Sequence, residues 1–168
     1  MTKPLNYLPS DNPRVPKAKY PFRHFLDVQT RFSDIDILGH LNNNAYFSLF
    51  DLAKIKYLQA TAPERYKHDL KVKAVVVHID CDFYSPAYFG EPLQIWTTIE
   101  SCSHRSFTIE QRMINSQTGQ TKSISHTVMA GFDSKLRQGI PIDPEWLAAT
   151  EEWEGRPLIN DHTTPNGD

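Results

Sequence analysis

The residues with the clearest chemical potential lie in one stretch, Asp34-Ile-Asp-Ile-Leu-Gly-His-Leu-Asn-Asn-Asn-Ala-Tyr46, which leads into an apolar segment with helical periodicity. The first backbone N–H groups of a helix have no intrahelical acceptor and lie at the positive end of the helix dipole. They can hold a carbonyl oxygen that gains charge during acyl transfer. A carboxylate beside such donors can attack a thioester carbonyl or activate a water against it. The stretch therefore suits hydrolysis of an acyl group without a metal.

The helix that must position these residues is predicted over 42–59. It is apolar over most of its circumference, which is typical of a helix buried against a sheet. One stripe is polar, because Asn44, Ser48 and Asp51 stand at i, i+4 and i+7 and project in one direction. An asparagine at or near the helix start can cap its free N–H groups, and Gly39 permits a tight turn and a close approach to a ligand.

Strand patterns flank this helix. From Arg23 onward, Leu26, Val28, Thr30 and Phe32 alternate with more polar positions, which predicts a half-buried first strand. Four more strands are predicted over 75–84, 93–103, 106–115 and 120–132, and Ser116-Gln-Thr-Gly119 reads as a hairpin loop. One strand, a long buried helix and four antiparallel strands predict an α+β domain in which a curved antiparallel sheet wraps around one long central helix. Such a domain leaves a sheet face and an edge to cover, so we expect self-association.

The chain divides into three predicted regions. Residues 1–22 contain Pro4, Pro9, Pro13, Pro16 and Pro21 and read as an extended, proline-rich leader. Residues 23–134 form the predicted domain. Residues 135–168 form a tail with a short helix over about 144–154, in which Trp146 and Trp153 are candidate anchors.

Composition excludes several classes of function. A net charge of −2 gives no sequence-wide basic field for nucleic acid or an anionic membrane. No apolar run approaches the roughly 20 residues of a membrane span, and no signal-peptide pattern is present, so we expect a cytoplasmic protein. Cys81 and Cys102 are expected to be free thiols. No zinc-ligand spacing or nucleotide-binding motif is present, so we expect neither a metal nor a cofactor.

The 34–46 stretch, followed by Asp51, resembles the signature of the hotdog-fold acyl-CoA thioesterases. It is similar to the 4-hydroxybenzoyl-CoA thioesterase group, and its Gly-His-x-Asn-Asn-x-x-x-Tyr form is also seen in acyl-ACP thioesterases. The resemblance extends over about 25–132, including Tyr84-Ser-Pro86, Gly90-Glu-Pro92 and His104-Arg-Ser-Phe107. It implies a single hotdog domain, a coenzyme A or carrier-protein thioester as substrate, and a homodimer or homotetramer with the active site at a subunit interface.

The resemblance also implies roles for individual residues. Asp36 matches the catalytic carboxylate, as nucleophile or general base, and Asn43 matches the residue whose backbone N–H polarises the thioester carbonyl. Gly39 and His40 match the intervening loop, and His40 would orient water or the thioester. Further candidates are Asp51 as a second acid, Asn44 and Tyr46 as substrate-binding residues, and His104, Arg105 and Ser106 for the phosphates of coenzyme A.

Structural roles compete with each of these functional roles. Asp36 can cap a turn, the asparagines can serve only as caps, and Asp51 can be a paired structural acid. His40 can be a loop histidine with satisfied hydrogen bonds, Tyr46 can serve in packing, and Arg105 can lie on a solvated turn. A non-catalytic hotdog protein that binds acyl-thioesters or protein partners is the alternative function. A hotdog hydratase is disfavoured, because the Asp-x-Asn-Pro-x-His pattern of one such group is missing.

Overall fold

A computed structural model describes residues 12–64 and 73–159. Within these two ranges, six strands and two α-helices follow one another in the order β1 (His24–Val28), α1 (Asn43–Thr61), β2 (Ala74–Phe83), β3 (Leu93–Cys102), β4 (Ser106–Asn115), β5 (Thr121–Asp133), β6 (Gln138–Gly139) and α2 (Pro144–Glu154). A short 3-10 helix, Phe32–Asp34, lies between β1 and α1. None of the described helices is both long enough and apolar enough to cross a membrane.

The strands form one antiparallel sheet in the order β1-β3-β4-β5-β2, and β6 pairs with the end of β5. In the register of β1 against β3, Leu26 lies opposite Ile95. The predicted α+β class and antiparallel arrangement are confirmed. β2 is an edge strand of this sheet, and most of its residues are exposed.

The described residues form two compact units. The first comprises the described residues up to Tyr57 with Asp80–Thr98 and Glu110–His126, and the second comprises the remainder. In the first unit, Ala45, Phe50 and Ala53 of α1 pack against Ile95 of β3 and Met113 of β4 in one buried cluster. This cluster accounts for the apolar face of α1 that it buries, since burial of that face stabilises the helix on the sheet, whereas Leu52 and Ile55 of α1 are exposed.

In the second unit, α2 begins and ends where the sequence predicts. The Asp143 side chain accepts a hydrogen bond from the Glu145 N–H, and Pro144 occupies the first helical turn. Gly155 ends the helix in the left-handed conformation with φ 68°. Trp146 is buried with its ring 4.8 Å from that of Phe107, which confirms it as an anchor.

The main difference from prediction lies at the end of β1. Leu26, Val28 and Thr30 face inward as predicted, but the strand stops at Val28 and Phe32 is exposed, so the inward assignment of Phe32 was wrong. The chain turns instead into the 3-10 helix, because the Asp34 carboxylate accepts the Arg31 N–H at 2.8 Å and breaks the alternation. The short strand β6 was not predicted.

The leader is described from Asn12 onward. It packs on the first unit, where the Pro16 carbonyl accepts a hydrogen bond from Arg112 Nη1 at 2.7 Å. Phe22 is buried in a cluster with Trp96 and Ile114. Residues 1–11, the first half of the predicted leader, lie outside the described residues, as does the end of the tail beyond 159.

Candidate active site

The loop before α1 is closed by backbone hydrogen bonds. The Asn42 N–H donates to the Asp34 carbonyl at 2.7 Å, and the Asp36 N–H donates to the His40 carbonyl at 2.8 Å. Gly39 turns the chain with φ 78°, a conformation that residues with a Cβ adopt rarely, and its N–H donates to the Asp36 carbonyl at 3.0 Å. The result is a narrow hairpin-like loop in which Asp36 faces His40.

The Asp36 side chain uses one carboxylate oxygen to hold this loop. Its Oδ1 accepts the Leu38 N–H at 2.8 Å and the His40 N–H at 3.1 Å. From the described residues, Oδ2 receives no hydrogen bond, and the side chain is only half-buried. One residue therefore combines the turn-capping role of Oδ1 with a second carboxylate oxygen that these hydrogen bonds leave unused.

The start of α1 presents a free donor beside this loop. Asn42 is the N-cap, because its Oδ1 accepts the Asn44 N–H at 2.9 Å and its carbonyl accepts the Ala45 N–H at 2.9 Å. Asn43 is the first helical residue and is exposed. Its N–H meets no acceptor in the described part of the chain, so the positive end of the helix dipole is available at this point.

A second segment anchors the loop from the side. The Leu41 N–H donates to the Ala87 carbonyl at 2.8 Å, and the Ala87 N–H donates to Tyr46 Oη at 3.3 Å. The His40 ring meets the Tyr88 ring edge-on at 5.3 Å. Sequence reasoning missed Ala87 and Tyr88, because the turn-forming residues of 85–92 indicate a connection and carry no signal for its partner.

Tyr46 lies in the core under this anchor. It is 3% exposed, and burial raises the pKa of its phenol to about 12. Its hydrogen bond to Ala87 gives it a packing and anchoring role, and direct substrate contact by Tyr46 stays a prediction.

Asp34 forms a local ion pair that shapes the entry to the loop. Its carboxylate accepts the Arg31 backbone N–H and, at 3.1 Å, the Arg31 Nη2. The pKa of this carboxyl lies below its usual range. The hydrogen bond from the Arg31 backbone contributes most to this shift, and the hydrogen bond from the Arg31 guanidinium comes second.

The predicted polar stripe of α1 is exposed along its whole length. The Ser48 hydroxyl donates to the Asn44 carbonyl at 3.1 Å. Asp51 accepts a hydrogen bond from the buried Lys54 ammonium at 2.5 Å. Asp51 is therefore engaged as the partner of a buried cation, which favours a structural role for this acid over a catalytic one.

A cavity of about 440 Å³ opens beside the first turns of α1. Its wall combines polar side chains from the end of β1 and the loop with apolar and polar side chains of the helix. The lining residues are Gln29, Arg31, Ser33, Asp34, Asn42, Asn44, Ala45, Ser48, Leu49 and Leu52.

The remaining predicted site residues, His104, Arg105 and Ser106, belong to the second unit, at the turn from β3 to β4. The Ser103 N–H donates to the Ser106 carbonyl at 2.7 Å, and the Arg105 carbonyl accepts the Gly131 N–H at 2.8 Å. Arg105 is exposed, and its contact with coenzyme A stays a prediction.

Comparisons with known proteins agree with this fold. A family model described as the thioesterase-like superfamily matches residues 30–150. The Bacillus subtilis protein YsmA, described as uncharacterized, is 28% identical over 91 residues, and the match covers 54% of this chain and 60% of YsmA.

Solved structures of similar fold include a Thermus thermophilus thioesterase complexed with coenzyme A and zinc. It is 24% identical, with a TM-score of 0.71 over 82% of this chain and 98% of that one. A 1,4-dihydroxy-2-naphthoyl-CoA thioesterase from Synechocystis is 19% identical, with a TM-score of 0.65 over 76% and 94% of the two chains. The predicted hotdog fold is confirmed. Since the family model covers most of the sequence, the chain belongs to the thioesterase-like superfamily.

Proposed function

We propose that this protein hydrolyses an acyl-CoA or acyl-ACP thioester to a free acid and a thiol, without a metal. The observation that carries the proposal is the pairing of an open carboxylate oxygen, Asp36 Oδ2, with an open N–H at the first residue of α1, Asn43. A short closed loop links the two groups, which supports their acting on the same ligand.

The Asn43 N–H would bind the thioester carbonyl oxygen. As the carbonyl carbon becomes tetrahedral, its oxygen gains negative charge, and a fixed donor at a helix N-terminus stabilises that charge without reorganising. Removal of one such donor from an oxyanion site costs on the order of 10²–10³ in kcat.

Asp36 would supply the base or the nucleophile. In the first route, Oδ2 takes a proton from water, the water oxygen bonds to the carbonyl carbon, and the C–S bond breaks as the thiolate leaves and is protonated. In the second route, Oδ2 itself bonds to the carbonyl carbon and expels the thiolate, and water then cleaves the resulting anhydride. Both routes need a carboxylate held in place, which the two N–H bonds to Oδ1 provide. His40, held at the same loop, would orient the attacking water or the thioester.

Coenzyme A or an acyl-carrier protein is the proposed thiol carrier. Membership of the thioesterase-like superfamily supports a thioester substrate, and the similar Thermus structure contains coenzyme A. The exposed guanidinium of Arg105 has the chemistry for bidentate contact with a phosphate.

A homodimer formed through the β2 edge is the proposed assembly. β2 ends the sheet and exposes several large apolar side chains, and Val77 is 58% exposed. An unpaired apolar edge strand is a template for pairing with another strand, and a second copy of β2 would satisfy it. A homotetramer built from such dimers fits the same edge.

A panel of acyl-CoA and acyl-ACP substrates, read by release of free thiol, tests the function. Turnover that disappears in Asp36→Asn supports the proposal. Binding of acyl-CoA without thiol release would instead identify a non-catalytic hotdog protein. In single-turnover hydrolysis in ¹⁸O-labelled water, label in the Asp36 carboxylate would identify the covalent route, because it requires water to attack the Asp36 carbonyl carbon of the anhydride.

A further inference from the structure

An ion pair between a buried lysine and a partly buried glutamate adjoins the segment that anchors the active-site loop. Lys122 on β5 is 2% exposed. Its ammonium donates to the Pro86 carbonyl at 3.0 Å, to Glu91 Oε1 at 2.8 Å and to Gln120 Oε1 at 2.9 Å. An ammonium has three protons, so every donor of Lys122 is used and the side chain is held in one position.

Lys122 and Glu91 together hold the 84–91 segment along its length. Glu91 Oε2 accepts the Tyr88 N–H at 2.9 Å. The backbone carbonyl of Lys122 accepts the Tyr84 and Ser85 N–H groups at 2.9 and 3.2 Å. The beginning, middle and end of the segment are therefore each tied to this pair.

The same segment contacts the active-site loop through two adjacent residues. The Ala87 carbonyl accepts the Leu41 N–H at 2.8 Å, and the Tyr88 ring packs against the His40 ring. The Lys122 ammonium lies 5.9 Å from the centroid of the Tyr88 ring. The ion pair is thus connected to the loop that carries Asp36 through one residue, Tyr88, and through two consecutive residues, Pro86 and Ala87.

We propose that Lys122 and Glu91 are positioning residues for the Asp36 loop, an inference that rests on the proposed hydrolysis. Neither side chain would touch the reacting atoms. The ion pair holds the 86–88 segment in place, and this segment contacts His40 and Leu41. The His40 N–H in turn donates a hydrogen bond to Asp36 Oδ1. Because a misplacement of about 1 Å can cost roughly 10²-fold in rate, a fully bonded buried cation is a suitable anchor for a loop that is itself half exposed.

A second buried ion pair in the same unit supplies a matched control. Arg112 and Glu110 lie 2.6 Å apart, both mostly buried, and Arg112 bonds to the Pro16 carbonyl of the leader. Within the described residues, the pair makes no hydrogen bond to the 84–91 segment or the 36–42 loop, and the Arg112 guanidinium acts on Tyr84 only through its charge. Arg112→Met therefore removes a largely buried charge without removing any hydrogen bond of the proposed anchor.

The experiment compares Lys122→Met, Glu91→Gln and Arg112→Met in the full chain. Hydrogen exchange of peptides that cover 36–42 reports the loop directly, and kcat and KM are measured on the best substrate of the wild-type protein. In both anchor variants we expect faster exchange of the loop amides and a fall in kcat of about 10- to 100-fold, with KM within about threefold. In Arg112→Met, loop exchange and kcat stay near wild-type values.

Wild-type loop exchange in a folded Lys122→Met or Glu91→Gln protein would overturn the proposal, as would equal effects in Arg112→Met. If both anchor variants lose the fold, the pair is a determinant of folding and the positioning role is rejected. If the wild-type protein releases thiol from no thioester, the proposed function fails, and hydrogen exchange still decides whether the pair positions the loop.

Discussion

Replacement of Asp36 by two different residues separates its chemical role from its structural one. Asparagine keeps an Oδ1 that can accept the Leu38 and His40 N–H groups, but it has an Nδ2 amide NH₂ group in place of Oδ2. Alanine removes both oxygens. The two variants should therefore lose turnover alike and differ in stability.

The magnitudes follow from the contacts of each oxygen. Loss of a general base or nucleophile costs about 10²–10⁴ in kcat, or roughly 3–5 kcal/mol of transition-state stabilisation. Loss of two hydrogen bonds at a half-buried carboxylate costs Asp36→Ala about 2 kcal/mol, which lowers Tm by roughly 4–8 °C for a chain of this size. Asp36→Asn retains most of that stability.

Thiol release and thermal unfolding on the same preparations provide the assay. Asp36→Asn with kcat within tenfold of wild type would refute a role for Oδ2 in the reaction. Equal Tm values for the two variants would show that the Oδ1 bonds do not hold the loop. If both variants are inactive but equally stable, the catalytic role of Oδ2 is supported and the structural role of Oδ1 is refuted.

Three further predictions concern other charges and the sheet edge. Because its folded-state pKa is lowered, Asp34 stabilises the protein above its ordinary pKa of 3.8, and this contribution is lost as pH falls through the lowered value. In urea unfolding, the free energy of unfolding should therefore fall less between pH 7 and pH 3 for Asp34→Asn than for wild type. Asp51→Asn should keep kcat within about threefold and lower the free energy of unfolding by about 1–2 kcal/mol. The loss of stability is expected because the substitution leaves Lys54 buried without its partner, while the Asp51 side chain itself is 64% exposed. A hundredfold loss of kcat would instead support Asp51 as a catalyst. Val77→Lys should raise the dissociation constant of the dimer at least about tenfold, measured from the mass given by light scattering after gel filtration at several concentrations. An unchanged mass at low concentration would contradict pairing through β2.

Local sequence patterns predicted the secondary structure well where local chemistry decides it. α2 was predicted over 144–154 because Asp143, Pro144 and Gly155 are its start and stop signals. The strands from β2 to β5 lie within about two residues of their predicted bounds, since period and turn residues mark their ends. The failure at Phe32 arose where a side chain, that of Asp34, captured a backbone N–H and ended the alternation.

The candidate site also has features that local sequence predicted and features that only the folded structure decided. The sequence by itself identified the loop and the helix start, because glycine, aspartate and asparagine have preferences for turns and caps that act over a few residues. It left open whether Asp36 caps a turn or meets a ligand, and the structure shows that Oδ1 caps the turn while Oδ2 accepts no hydrogen bond from the described residues. The choice depended on which N–H groups the folded loop directs toward the carboxylate.

Only the tertiary structure decided the partners that lie far apart in the chain. Lys122 and Glu91, 31 residues apart, form an ion pair, and Tyr46 bonds to Ala87 across 41 residues. No periodicity predicts such pairs, because they follow from how the sheet brings its strands together around the helix. Sequence pattern thus determined the elements and the reactive stretch, and packing determined which charges are buried and what they hold in place.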